Sequence, residues 1–247
     1  FTFWKNNNKL VHLYGDDLDG DGKEDDDIAN SLFIGKSLGA IYGYEQDGIV
    51  QENDAEYIAL TGAAPGAPKY KDHDKVPGIT ANDRIILGYT KENFRSSLSN
   101  IAGYRNFELY VMIMGIFGGN NHYLKSNTAA YLTSGTGLFN ANMTSKPYWT
   151  PENKSNLYPS ATFAGDGRYL ALQSRGFVRI QDVSLSYTFN KRLTDVLKVN
   201  SLKAYLSVQN MATFTNWFGG DPETGTTVRE NTYPVPSTFS VGINATF

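Results

Sequence analysis

The chain has 247 residues, of which 22 are Lys or Arg and 25 are Asp or Glu, giving a formal net charge of −3. This balance argues against nucleic acid as the main partner. The lack of cysteine excludes disulfides, thiolate metal sites and a thiol nucleophile. No run of about 18 apolar residues is present to form a membrane-spanning helix. The mean hydropathy of −0.38 is typical of soluble proteins, but a transmembrane β-barrel needs apolar side chains only at alternate positions.

Alternation of polar and apolar residues predicts about seven β-strands and no helix. In chain order the predicted strands lie near 1–14, 32–44, 94–104, 107–114, 182–189, 202–209 and 238–247. The last one alternates without error, with Phe239, Val241 and Ile243 on one face and Ser240 and Asn244 on the other. Period two over about ten residues is the pattern and length of a membrane-crossing strand.

The segments between these strands predict the architecture. Segments 15–31, 105–106 and 190–201 are short, and they alternate with the long segments 45–93, 118–176 and 216–237. Outer-membrane barrels have short periplasmic turns and long outer loops. We therefore predict an all-β fold, a transmembrane antiparallel β-barrel, with 15–31 as a periplasmic turn. Since seven strands cannot close such a barrel, we expect the chain, which starts at Phe1 without a leader, to be part of a longer protein.

Two other architectures stay open on the sequence. A secreted β-sandwich that binds carbohydrate would need turns of similar length at both ends of its strands. A barrel enzyme would need a histidine with Ser or Asp partners at the rim, and only His122 is roughly placed for that. No zinc-protease, nucleophile-elbow or phosphate-loop motif is present, so we expect no catalytic site.

One acidic segment has the core of a calcium loop. Asp17, Asp19 and Asp21 alternate before Gly22, and Asp25 follows. Ca²⁺ takes six to eight hard oxygen ligands, which alternating carboxylates around a glycine can supply. The twelfth position is Ile28 instead of the usual Glu. The segment predicts either a structural Ca²⁺ site or a solvated acidic turn.

A second group of carboxylates, Asp72, Asp74 and Asp83, is expected to hold no metal strongly, because the segment around it lacks a Gly-Asp-Gly core. The long loops are rich in amides, hydroxyls and aromatic rings, which suit sugars or a partner protein. Packing of these loops on one another to narrow a pore is the alternative. The candidate ligand or partner contacts in these loops are Asn121, Tyr123, Tyr131, Tyr148, Trp149 and Trp217.

Several ordered motifs resemble the SusC/RagA family of TonB-linked outer-membrane transporters, which is typical of Bacteroidetes. They run through most of the chain. The matching segments are GKSLGAIYGY at 35–44, PGAPKYKD at 65–72, YWTPEN at 148–153, FVRIQDVSLSY at 177–187, VQN at 208–210 and DPE at 221–223.

The resemblance implies that residues 1–247 are the C-terminal part of a plugged barrel of about 22 strands in the bacterial outer membrane. It also implies a SusD-like surface lipoprotein over the barrel mouth and a TonB complex that acts through an N-terminal part absent from this sequence. The function it implies is energised import of glycans or oligopeptides, with outer-membrane lipid around the wall. Neither composition nor periodicity identifies the substrate.

Overall fold

The computed structural model describes residues 1–118, 121–123, 147–163, 167–170, 172–217, 221–223 and 235–247, with backbone alone for 121–123 and 173. Helix α1 spans Ala55–Thr61 and α2 spans Lys191–Leu197, and a 3₁₀ turn spans Ala81–Asp83. The strands are β1 (Thr2–Trp4), β2 (Ala40–Tyr44), β3 (Gln46–Ile49), β4 (Pro68–Tyr70), β5 (Arg84–Tyr89), β6 (Phe94–Tyr104), β7 (Phe107–Phe117), β8 (Asn121–Tyr123), β9 (Leu172–Ser174), β10 (Phe177–Thr188), β11 (Ser201–Thr215) and β12 (Thr238–Thr246).

One antiparallel sheet dominates the described residues. Its six strands follow the order β1-β6-β7-β10-β11-β12, so their order across the sheet is their order along the chain. Alternation of polar and apolar residues predicts β6, β7, β10, β11 and β12, and the structure confirms these five strands. We call this six-stranded sheet the wall. It has the all-β architecture that the sequence predicts and is open at both edges.

The register places the apolar residues of neighbouring strands on the same face. Leu185 of β10 pairs with Leu109 of β7 and with Leu206 of β11, and Leu206 pairs with Val241 of β12. Val241 is nevertheless 81% exposed. Within the described residues this face is uncovered, whereas a β-sandwich would cover it with a second sheet. The sandwich interpretation is therefore wrong.

The opposite face is polar. Ser184 of β10 pairs with Ser207 of β11, and Ser207 pairs with Ser240 of β12. A sheet with an exposed apolar face and polar residues on the opposite face matches the lipid and lumen sides of an outer-membrane barrel.

A β-bulge in the middle of β10 keeps its apolar residues on one face of the sheet and its polar residues on the other. The register shifts between Ile180 and Asp182, and on β11 Asn210 adopts a left-handed conformation with φ 51°. The extra residue returns Ile180 to the apolar face, where it pairs with Ile113. Consequently Arg179 points to the polar face.

The long connections all leave one end of the sheet, and the two short ones leave the other. Residues 5–93, 118–176 and 216–237 join strands at the first end; residues 105–106 and the segment containing α2 join them at the second. Two predicted strands are wrong in extent: 1–14 is extended only at Thr2–Trp4, and 32–44 only at Ala40–Tyr44. Segment 15–31 therefore belongs to a long connection, and its expected periplasmic position is corrected to the opposite end.

Segments 1–14 and 32–44 do not form the long strands that the sequence predicts, because their polar groups have other partners. The Asn8 side chain accepts hydrogen bonds from Ser37 Oγ (2.6 Å) and Leu38 N (2.9 Å), and β2 pairs with β5 outside the main sheet. Side-chain acceptors of this kind offer the backbone an alternative to a strand ladder.

The two short helices are also a departure from the sequence-based expectation. Helix α1 ends at Gly62, which has φ 69°, and α2 begins after Asn190, whose side chain accepts from Leu193 N at 3.3 Å. With seven residues each, they are too short to show a 3.6-residue period. Neither helix in the described part of the chain has the length or apolar character needed to cross a membrane.

Candidate binding surface on the cap

Residues 40–89 and 147–163 pack together at the long-connection end of the sheet, and we call them the cap. Trp149 joins its two parts: the indole Nε1 donates to Gln51 Oε1 at 2.9 Å. Gln51 Nε2 in turn donates to Ser155 O at 3.2 Å. Trp149 is 7% exposed, and Ile49 and Val50 beside Gln51 are fully buried. The cap therefore has its own small core.

Gly66 allows the two parts to approach closely. Its backbone has φ +87°, and a Cβ there would lie 2.6 Å from Trp149 Cε3. Ser160 N also donates to Gly66 O at 2.8 Å. Only glycine avoids both the steric overlap and the left-handed strain, so the turn PGAP at 65–68 fits this packing.

A buried carboxylate organises the other half of the cap. Asp83 is fully buried, and its oxygens accept from His73 N (2.7 Å), Asp74 N (3.1 Å) and Thr80 N (2.6 Å). Burial raises the pKa of Asp83, but these hydrogen bonds outweigh it and hold the pKa below its usual range. The carboxylate thus stays charged and fixes the loop between β4 and β5.

The carboxylates of Asp72, Asp74 and Asp83 come within 4.8 Å of one another. However, Thr80 Oγ1 donates to Asp74 Oδ2 at 2.7 Å, and Asp72 accepts from Lys75 N at 2.5 Å. These bonds fix the shape of the loop, and the expectation that the group holds no metal strongly stays a prediction.

A cleft of about 390 Å³ lies beside α1. Its walls include the Tyr57 and Tyr70 rings and the side chains of Lys71 and His73. Glu45 contacts both of these side chains, at 2.5 Å from Lys71 Nζ and 3.0 Å from His73 Nε2. The Lys71 hydrogen bond is the main reason that the pKa of Glu45 is lowered. Aromatic faces beside fixed polar groups are suited to a polar ligand.

The last long connection is fastened to the polar face of the wall. The Arg179 guanidinium donates to Thr213 Oγ1 (3.0 Å), Glu223 Oε2 (2.9 Å) and Asp221 Oδ1 (2.7 Å). Arg179 is 3% exposed and Asp221 6%, and the guanidinium lies 4.7 Å from the Phe177 ring centroid. This fork-shaped cation holds residues 221–223 against β10 and β11.

The acidic segment forms a compact exposed turn. The carboxylates of Asp17, Asp19 and Asp21 lie within 4.8 Å of one another, and Asp17 accepts from Gly20 N at 2.8 Å and Gly22 N at 3.0 Å. Asp25 is outside this group and accepts from Leu18 N at 2.7 Å. The three grouped oxygens suit a hard cation, so structural Ca²⁺ stays a prediction.

The predicted contact residues fall in different places. Tyr148 is half-buried, and burial raises the pKa of its phenol. Trp149 and Trp217 are buried, which fits packing of the loops on one another. Asn121 and Tyr123 lie in β8, whose backbone pairs with β9. The side chains of Asn121, Tyr123 and His122, and all of Tyr131, are outside the described residues.

Sequence reasoning did not single out Gln51 and Arg179, which fix the cap and the last connection, and it considered Asp83 only as a carboxylate that holds no metal strongly. Arg179 had a usable signal: it is a lone cation in the otherwise apolar run FVRI, and a charge there needs a buried partner. Gln51 had none, because its partner Trp149 is 98 residues away.

Comparison with known proteins supports the resemblance. No protein-family model matches the chain. TonB-dependent receptor P3 of Formosa agariphila is 29% identical over all of this chain and 26% of its own length. TonB-dependent receptor SusC of Bacteroides thetaiotaomicron is 25% identical over 87% of this chain and 20% of its own length. The chain spans about a quarter of these curated relatives.

Solved structures show the same fold. The RagAB peptide importer in its open-open state matches with a TM-score of 0.65 and 20% identity, over 99% of this chain and 26% of the other. The closed-closed state of RagAB matches with a TM-score of 0.63 and 19% identity, over the same shares. The relatives are receptors and transporters by name. The chain thus corresponds to the C-terminal portion of an outer-membrane TonB-dependent receptor of the SusC/RagA kind.

Proposed function

We propose that this chain supplies wall and outer loops to a TonB-dependent importer of glycans or oligopeptides that works with a SusD-like surface lipoprotein. The observation that carries the proposal is the interlocked cap. A plain pore needs no structured connections at its mouth, whereas this one has a buried core around Trp149 and a charge-fixed loop around Asp83. Such a surface is suited to present a constant shape to a lid or a substrate.

The cleft beside α1 is the most suitable part of the cap for that contact. Lys71 and His73 are held in place by Glu45, and Tyr57 OH accepts from Tyr70 N at 3.0 Å. Preformed polar groups cost little ordering on binding. The Trp149 and Trp217 rings are buried and stabilise the loops, so contacts would fall on Tyr148 and the cleft. The peptide importer RagAB and SusC leave both substrate classes open.

The function needs no catalytic group in this portion. Within the described residues, His12 and His73 pair with Glu24 and Glu45 at 2.7 and 3.0 Å. Both carboxylates are engaged in structural contacts: Glu24 also accepts from Leu13 N at 2.7 Å. We therefore propose that the protein is a transporter and that residues 1–247 act as one structural part of its barrel.

The experiment is purification of the full-length receptor from native outer membranes in mild detergent, with mass spectrometry of what co-purifies. We expect a surface lipoprotein in near-equal amount, and uptake by cells of labelled glycan or peptide that stops when TonB is deleted. Lys71→Gln with His73→Gln should weaken substrate or lipoprotein binding, while Lys154→Gln, at a cap ion pair with Glu52, serves as the matched control. Recovery without lipoprotein, or TonB-independent uptake, would overturn the proposal.

A further inference from the structure

Three aromatic rings lie at the same level along the strands, on the apolar face of the wall. Phe94 stacks between Phe3 and Phe117, with ring centroids 5.4 and 4.9 Å apart. Phe94 pairs with Phe117, and Phe3 pairs with Ser96, two residues along the same face. The stack lies at the end of the sheet where the long connections begin. Aromatic residues in this position form the interface belt of membrane barrels.

A cleft of about 620 Å³ lies directly beyond this belt, and Phe94 is part of its wall. Three ammonium groups line it, from Lys5, Lys36 and Lys91. Lys5 is two residues past Phe3, at most about 7 Å along an extended chain. The charges therefore sit at the height of a lipid headgroup above the apolar face. We call this feature the lysine cleft.

The positive charge of the lysine cleft is not neutralised from within. Its one lining carboxylate, Glu92, is held by Arg95 Nε at 2.6 Å and is also attracted by Arg175. In the part of the chain that the structure describes, Lys5, Lys36 and Lys91 form no ion pair. Three like charges lining one cleft favour an anion.

The walls of the cleft are fixed to each other. Asn8 accepts from Ser37 Oγ and Leu38 N, and Leu10 N donates to Lys36 O at 2.8 Å. On the opposite wall, Asn93 N donates to Phe117 O at 3.0 Å. The cleft is therefore a formed site, lined also by amides from Asn6 and Asn7 that can donate to oxygen.

We propose that the lysine cleft binds the phosphorylated headgroup of a lipid in the outer leaflet of the outer membrane. The charge and the amide donors suit phosphate oxygens, and continuity with the Phe3–Phe94–Phe117 belt places an acyl chain against the apolar face. The inference rests on the outer-membrane location and not on import, because the cleft adjoins the outward face of the wall, opposite the polar lumen side.

The test uses the full-length receptor in detergent and lipid A, with and without its phosphates, as the probe. Native mass spectrometry measures retained lipid for wild type and for the triple variant Lys5→Gln, Lys36→Gln, Lys91→Gln. We expect about a hundredfold weaker binding of phosphorylated lipid A by this variant, since each basic residue near a membrane surface contributes roughly a factor of five. Dephosphorylated lipid A should bind both proteins equally weakly.

The matched control removes the same charge elsewhere, with Lys23→Gln, Lys154→Gln and Lys191→Gln, and should bind as wild type does. Equal binding of lipid A by both triple variants would overturn the proposal. So would displacement of lipid A by inorganic phosphate at comparable concentration, because the cleft would then be a site for soluble anions. Substrate uptake, measured on the same variants, should be unchanged, which separates this proposal from that of import.

Discussion

The wall and the cap reach stability by opposite means. The wall exposes its apolar side chains, with Phe239 71% and Val241 81% exposed, and relies on a ladder of backbone pairs. The cap buries its apolar residues around Trp149 and satisfies its backbone with side chains such as Asp83 and Gln51. The medium around each region therefore determines its sequence pattern. Lipid around the wall favours alternating polar and apolar residues, whereas water around the cap favours a buried apolar core.

The largest effect is expected where the last long connection is fastened to the polar face of the wall. Arg179→Met should destabilise the receptor by about 3–5 kcal/mol, because it removes the buried guanidinium that donates to Asp221 and Glu223. The measurement is the denaturant midpoint of the full-length receptor in detergent. Arg179→Lys should lose less, since it keeps the charge but not the three-way fork. An unchanged midpoint for Arg179→Met would show that the last connection is not held by this pair.

The wall is tested by a charge on each face. Val241→Lys places an ammonium on the lipid side and should cost about 2–4 kcal/mol at mid-membrane depth. Ser240→Lys, on the next residue, faces the lumen and should cost little. Heat-modifiable gel mobility reports the folded fraction in the outer membrane. Equal folding of the two variants would break the assignment of the faces.

The cap is tested at its buried carboxylate. Asp83→Asn keeps the volume but replaces one acceptor oxygen with a donor that faces a backbone N–H. We expect a local loss of about 1–3 kcal/mol, seen as faster hydrogen exchange at residues 73, 74 and 80, with the wall unaffected. Asp72→Asn, at an exposed neighbour, is the control. Exchange that rises equally in the wall would contradict the independence of the two regions.

A smaller effect on the stability of the cap is expected from a change in pH. Hydrogen bonding to Lys71, followed by that to His73, lowers the pKa of Glu45 from its ordinary 4.5. A lowered carboxyl pKa adds stability that is present above pH 4.5 and is lost as pH falls through the folded-state pKa. The denaturant midpoint of the cap, followed by tryptophan fluorescence, should therefore fall less steeply below pH 4.5 in Glu45→Gln. Identical pH profiles would show that Glu45 is uncoupled from cap stability.

The strands of the wall could be predicted because their sequence pattern repeats. Each residue of β12 must face lipid or lumen, so period two appears in the sequence itself. The cap depends instead on single contacts between distant residues, such as Trp149 with Gln51, which no local pattern encodes. The same reason explains the failed strands at 1–14 and 32–44, where apolar residues at alternate positions belong to turns held by Asn8 and Glu24.

The candidate site was predictable only by residue type. The aromatic and amide-rich composition of the long loops indicated only which types of side chain could contact a ligand or a partner. Which aromatic rings are buried and which line a cleft depends on packing: Trp149, a predicted contact, is buried, whereas Tyr57 lines the cleft. The lysine cleft joins residues from three separate segments, so only the fold brings it together.

We expect the cap to lie outside the cell, the α2 turn to lie in the periplasm and the wall between them to cross the outer membrane. Since residues 1–247 contain no cysteine, single cysteines can be placed cleanly at Lys154 in the cap and at Lys191 in α2. A membrane-impermeant maleimide applied to intact cells should label Lys154→Cys fully and Lys191→Cys only after the outer membrane is broken. Labelling of Lys191→Cys on intact cells to the same extent would contradict the account.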